Sequence, residues 1–266
     1  MNQIKAVVFD WAGTTVDFGC FAPVDAFVRI FKEKDIDLTF EEVRAPMGMA
    51  KKDHVRAILN FPRITGLWYE RFGTDWTEAD ATALYEEFEP ALMENLAGYT
   101  EVLEGVTEIC GWLRKNQIKI GSTTGYTRDM MDVVCRRAKA QGYEPDAVVT
   151  SEMTRGKGRP APDMLFKNME LLGVYSPSAV IKVGDTVADI KEGVSAGAVS
   201  VGVVIGSSVM GLTEEEYGEL GEPEKFAACR RTMAVFREAG ADHVIMTINE
   251  LPALIENINR ERRAYG

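Results

Sequence analysis

The sequence predicts an α/β fold: a Rossmann-like, doubly wound parallel sheet core with an all-helical cap domain inserted after the first strand. Three observations point there. Short, apolar, β-branched runs recur along the chain, amphipathic helical patterns alternate with them, and one long stretch carries no strand pattern. Strands that lack polar alternation are buried on both faces, as in a parallel sheet held between two layers of helices. Such sheets gather their ligands off the carboxyl ends of the strands.

The first strand run is 4–9 (IKAVVF). From residue 19 to 98 no strand follows; helical patterns at 22–34, 39–44, 51–61, 65–72 and 77–96, with Ser, Thr or Pro starts and Gly breaks, read as a cap with its own small core. The alternation then resumes with a helix at 102–116, a strand at 118–122, a helix at 127–141 and a weaker strand at 147–150. It continues with a helix at 162–172, a strand at 180–183, a helix at 187–196, a strand at 199–205 and a weaker last strand at 243–246. Glu214, Glu215 and Glu216 after Thr213 fit the acidic first turn of an exposed helix. The expected division is a core of residues 1–18 and 100–266 and a cap of residues 19–99.

Composition narrows the function. The chain has 266 residues, and 30 Lys+Arg against 41 Asp+Glu give a formal net charge of −11. A surface this acidic has no electrostatic reason to bind nucleic acid or an anionic membrane, so any bound anion must be met by local positive groups. No apolar run approaches the ~18 residues of a membrane span, and the run at 6–9 is too short for the apolar core of a signal peptide. Cys20, Cys110, Cys135 and Cys229 lack CxxC spacing, which points to a reducing, cytoplasmic setting.

The strand ends carry the chemistry. The first run leads into Asp10-Trp11-Ala12-Gly13-Thr14-Thr15, a carboxylate beside the N–H donors of a turn. The run at 118–122 leads into Thr123-Thr124-Gly125-Tyr126, and Arg159-Pro160 sets a cation before a helix. The run at 180–183 ends in Gly184-Asp185-Thr186, with Asp189 one helical turn on. Singly, each has an ordinary explanation: a turn-forming Asp10, a helix cap at Thr124 or Asp185, a solvated charge at Arg159. Together, at strand ends of one sheet, they assemble nucleophile, hydroxyl, cation and metal-binding carboxylates.

At these residues the chain resembles the haloacid dehalogenase-like (HAD) superfamily of phosphoryl-transfer enzymes, over its whole length. The resemblance implies that Asp10 is a nucleophile forming an aspartyl-phosphate and that Thr124 and Arg159 hold phosphoryl oxygens. It further implies Mg²⁺ held by Asp10, the backbone carbonyl of Ala12 and Asp185, with Asp189 supporting from outside. A carboxylate attacks an anionic phosphorus only where metal and cation offset the repulsion. Ala12 departs from the pattern, because most phosphatases and phosphomutases of the superfamily place there an Asp that protonates the leaving alkoxide.

The cap offers other leaving-group chemistry. If residues from Met47 onward are helical, Met47, Lys51 and His54 fall at i, i+4 and i+7 on one face, with Lys52 rotated ~100° away. A lysine buried beside a histidine is a Schiff-base candidate, since desolvation lowers its pKa. The ordinary explanation is a surface Lys-Lys pair with a packed histidine. The strings FDWAGTTVDFGCFAP, MGMAKKDH, IGSTTGYTRDMM and GSSVMGLTEEE resemble the phosphonoacetaldehyde hydrolase (phosphonatase) family within the superfamily. That resemblance implies Lys51 as the Schiff-base lysine, His54 as its acid/base neighbour, Cys20, Met47, Gly125 and Tyr126 at the substrate pocket, and a homodimer. His54 suits proton transfer if its pKa is near neutral. The implied reaction cleaves the C–P bond of a small phosphonate, phosphonoacetaldehyde, to acetaldehyde and phosphate. The imine takes up the carbon's electrons, so no acid is needed at Ala12. Two alternatives stay open: a phosphatase or phosphomutase for another small phosphorylated metabolite, and a non-catalytic phosphate-binding module.

Overall fold

Six parallel strands form one sheet in the order β3-β2-β1-β4-β5-β6: β1 (Ala6–Phe9), β2 (Lys119–Thr124), β3 (Ala147–Thr150), β4 (Val180–Gly184), β5 (Val199–Val203) and β6 (His243–Ile245). The computed structural model describes residues 3–264, so residues 1–2 and 265–266 of the expected core lie outside the described residues. Strand order reverses at β1, which pairs β2 on one side and β4 on the other, with Phe9 opposite Ser122 and Val183. The residues just past Phe9, Thr124 and Gly184 therefore emerge together at the carboxyl edge, at a topological switch point.

Five α-helices fall within residues 19–99, after β1: α1 (Phe21–Lys32), α2 (Phe40–Arg44), α3 (Lys51–Leu59), α4 (Pro62–Phe72) and α5 (Glu78–Asn95). The remainder are α6 (Val106–Lys115), α7 (Arg128–Ala140), α8 (Asp163–Leu172), α9 (Val187–Ala196), α10 (Glu214–Glu219), α11 (Glu222–Glu238) and α12 (Leu251–Ala264). Each run expected to be a strand is one, with ends shifted by a few residues. The helix expected from residue 102 begins at Val106, because Gly105 holds a left-handed φ of +85°. α11 falls outside the expected elements. Only Ala228, Cys229, Thr232 and Phe236 of it are buried, too narrow a stripe to stand out in a polar sequence.

The pleat of β1 divides the interior. Ala6 and Val8 face a small cluster with Leu165, Met169 and Ala196, while Val7 and Phe9 join the main core. That main core runs on without a break into the helices before β2, through Phe27, Val55, Ile58 and Phe88. Phe27 and Phe88 stack with ring centres 4.2 Å apart. Full burial of each such side chain contributes about 1.5–3 kcal/mol, so α1, α3 and α5 form a rigid support. Thr39 and Thr77 start α2 and α5 with reciprocal caps to Glu42 and Asp80. All four cysteines are free. Among the described residues no helix is long and apolar enough to cross a membrane.

Candidate active site

Asp10 leaves β1 with its N–H still bonded to the Val183 carbonyl, 2.9 Å away. The chain then turns tightly, with Thr14 and Thr15 N–H groups donating to the Trp11 carbonyl at 3.1 and 2.7 Å. Gly13, at φ +83°, lies against the Asp185 carboxylate so closely that a Cβ would collide with it. Two donors fix Asp185: the Thr14 hydroxyl on Oδ1 and the Ser208 N–H on Oδ2, both at 2.8 Å.

Arg159 is buried and grips Asp10 with both terminal nitrogens, each 2.9 Å from a carboxylate oxygen, while also pairing with Asp189. Asp189 caps α9 through Thr186. It also meets Lys182 Nζ at 2.8 Å. Lys182 donates to the Thr123 hydroxyl at 3.0 Å and lies 3.4 Å from Glu192, to which Thr123 donates at 2.9 Å. Lys182, Thr123, Glu192 and the Ser208 amide lie outside the residues expected from the sequence. The signal was present: β4 reads VIKVG, a lysine inside a strand that helices cover on both faces.

Asp10, Asp185 and Asp189 each bring an oxygen within 4.8 Å of the others, all buried. With Glu192 they make four carboxylates against the cations Arg159 and Lys182, leaving an excess of two negative charges. Burial pushes the Asp10 carboxyl up against the pull of Arg159. Burial, then the charges of Asp10 and Asp189, push Asp185 well above the usual carboxylate range. For Asp189, burial is outweighed by Arg159 and Lys182, which hold its carboxyl down at about 2. Asp10 and Asp185 are thus the carboxylates whose repulsion is left unrelieved.

A cavity of about 20 Å³ opens over Asp10. Ala12, Thr124, Gly125, Tyr126 and Arg159 line it from the sheet side, and Cys20, Met47 and Lys51 from the other. Met47 reaches it from the turn before α3 rather than from the expected helix. Gly48, at φ +87°, breaks the helical path, and α3 starts at Lys51 with Ala50 as its cap. Asp185 and Asp189 do not line it but join Asp10 through the carboxylate cluster. A larger open hollow of about 750 Å³, near Lys5, Lys119 and Tyr175, lies toward the amino ends of β1 and β2. It is remote from every one of these groups.

Lys51 is 5% exposed, with Nζ 5.1 Å from the centre of the Tyr126 ring. Among the described residues it has no carboxylate within 4.0 Å, and burial lowers its pKa. Its place at the positive end of the α3 dipole disfavours an ammonium further. His54, one turn on, is fully buried against the Phe27 ring, with Nε2 2.8 Å from the Val43 carbonyl. A carbonyl only accepts, so Nε2 carries the proton and the buried, unpartnered Nδ1 keeps a lone pair. Burial drives the imidazole well below its ordinary pKa, which corrects the near-neutral value expected from the sequence. His54 does not line the cavity, and Lys52 is half-buried and turned away from it.

The chain is similar to known proteins over most of its length. The haloacid dehalogenase-like hydrolase family matches residues 4–197. Phosphonoacetaldehyde hydrolase of Bacillus cytotoxicus is 51% identical over 263 residues, covering 97% of this chain and 98% of that protein. The protein of the same name from Lysinibacillus sphaericus is 49% identical over 259 residues, covering 97% and 96%. The crystal structure of a phosphonoacetaldehyde hydrolase-like protein from Oleispira antarctica superposes with a TM-score of 0.94 at 36% identity, covering 97% of this chain and 94% of that one.

Proposed function

Because this chain belongs to the haloacid dehalogenase-like hydrolases, in their phosphonoacetaldehyde hydrolase branch, we propose that it hydrolyses the C–P bond of phosphonoacetaldehyde to acetaldehyde and phosphate. In this proposal residues 19–99 act as the cap and residues 1–18 and 100–266 as the core, each delivering one half of the chemistry. The observation that carries it is Lys51, a buried amine with no carboxylate partner among the described residues, which opens onto the same cavity as Asp10 and Arg159.

A C–P bond resists cleavage because carbon departs as a carbanion. The neutral Lys51 amine adds to the aldehyde and expels water, giving an imine that takes up a proton. Asp10 then attacks phosphorus, the C–P electron pair moves into the protonated imine, and carbon leaves as an enamine. Protonation at carbon and hydrolysis of the imine release acetaldehyde and restore Lys51, and a second water frees phosphate from Asp10. No alkoxide forms, which suits an alanine at position 12 and disfavours an ordinary phosphatase or phosphomutase. Thr124 and Arg159 hold the phosphoryl oxygens. His54, neutral and one helical turn on from Lys51, takes the proton traffic of the amine in this proposal. Cys20, Met47, Gly125 and Tyr126 enclose the two-carbon unit.

Hard oxygen donors and two uncompensated negative charges fit Mg²⁺, held by Asp10, the Ala12 carbonyl and Asp185 with Asp189 in support. When bound, it offsets the repulsion between the Asp10 carboxylate and the phosphoryl group. Borohydride reduction in the presence of phosphonoacetaldehyde, followed by peptide mapping, tests the proposal. An adduct on Lys51, lost in Lys51→Arg, is expected. An adduct on Lys52, or none in a fully active enzyme, overturns the assignment.

A further inference from the structure

We propose that Arg44 is a positioning residue that couples the seating of Lys51 to the orientation of Asp185. The proposal rests on the reading of Asp185 and Lys51 given above. Arg44 ends α2, and the turn bearing Met47 carries the chain directly from it to Lys51. Its side chain reaches from α2 to the start of α1 and, beyond the helical segment, to the loop after β5. One terminal nitrogen donates to two carbonyls, Gly19 at 2.7 Å and Ser208 at 3.0 Å. The guanidinium carbon lies 4.6 Å from the centre of the Phe21 ring at the start of α1.

Ser208 is the same residue whose N–H donates to Asp185 Oδ2. A single residue therefore separates the Arg44 guanidinium from a carboxylate assigned to the metal. The loop is built to receive it. Gly211, at φ +72°, leaves room where a Cβ would stand 3.1 Å from Arg44 Nε, and the Gly19 N–H is tied to the Gly206 carbonyl at 2.7 Å. Arg44, the linker before α1 and the loop after β5 meet at one point. If α2 lifts, Ser208 loses its donor and the amide that aims Asp185 is released. If Asp185 and its loop shift, α2 and the turn leading to Lys51 lose their anchor. A planar, multi-donor cation stacked on an aromatic ring suits such a strut better than a lysine would.

Two readouts on the full-length protein separate coupling from plain stabilisation: Mg²⁺ affinity by calorimetry without substrate, and the rate of borohydride trapping by phosphonoacetaldehyde. Partners that orient a metal ligand typically alter affinity 10–100-fold. Arg44→Ala is expected to weaken Mg²⁺ binding about tenfold and to slow trapping at Lys51, with added guanidinium ion restoring both. Arg44→Lys, which keeps the charge and folds more readily, is expected to fall between the two. Should Mg²⁺ affinity hold while only trapping or melting temperature falls, Arg44 merely seats the helix and the coupling is wrong. Loss of Mg²⁺ affinity with trapping untouched overturns it equally. If the unaltered protein binds no Mg²⁺ yet traps the aldehyde, the metal assignment fails and this proposal falls with it, while the Lys51 assignment survives.

Discussion

Two lysines are buried here, and they are opposites. Lys182, in the middle of β4, is fully enclosed and boxed in by Asp189, Glu192 and the Thr123 hydroxyl. Lys51, at the start of α3, is nearly as buried but has the face of Tyr126 beside it and no carboxylate in salt-bridge reach among the described residues. Burial among carboxylate partners makes a lysine part of the framework. Burial without partners penalises the charge and leaves a nucleophilic amine. The same side chain thus serves as scaffold under the sheet edge and as candidate reagent above it.

Exchanging each for methionine breaks the pair most sharply. Lys51→Met is expected to lower activity on the order of 10⁴-fold or more, while stability in a urea melt stays level or rises, since a buried polar amine gives way to an apolar side chain of similar length. Lys182→Met is expected to do the reverse first. Removing one partner of a buried ion network costs about 3–5 kcal/mol, because Asp189 and Glu192 lose a counter-charge. Adding Glu192→Gln should recover part of that loss. A Lys182→Met protein as stable as the original would show that the network contributes nothing to the fold.

A pH series sharpens the contrast. Burial lowers the pKa of Lys51 below its ordinary 10.5. Between the lowered value and 10.5 the unfolded chain binds the extra proton, so stability rises with pH across that window. Lys51→Met should remove that part of the slope. Trapping by borohydride should also persist at a lower pH than for an exposed lysine. A trapping profile that follows the ordinary lysine range would mean that Lys51 is solvated when the aldehyde arrives.

The same contrast explains what was legible in the sequence. Asp10, Thr124 and Asp185 stand at or just past the ends of apolar, β-branched runs that the sequence locates, and the sheet topology brings those ends together, while Arg159 comes from the loop before α8. Lys51 was legible through its string and its spacing to His54. Met47 reached the cavity by another route, since Gly48 sets a backbone turn that a helical wheel cannot show. Lys182, Glu192 and the Ser208 amide were not legible as a group. Their partners lie far away in the chain or are backbone atoms, and only the tertiary fold joins them. α11 escaped because most of its surface is polar and faces water.

The smallest effect isolates position from chemistry. Lys52 follows Lys51 on the same helix, in the same dipole, with the same side chain. It differs by one step of ~100° around the axis, which leaves it half-buried, away from the cavity, and attracted only weakly to the exposed Glu78. Lys52→Ala should therefore leave the rate within about twofold, since a solvent-screened attraction is all it removes. It should leave borohydride trapping intact, read side by side with Lys51→Met in one assay. A loss of trapping in Lys52→Ala would mean that α3 turns its other face to the substrate. Lys51 would then be the framework residue, and the division between the two buried lysines would have to be drawn again.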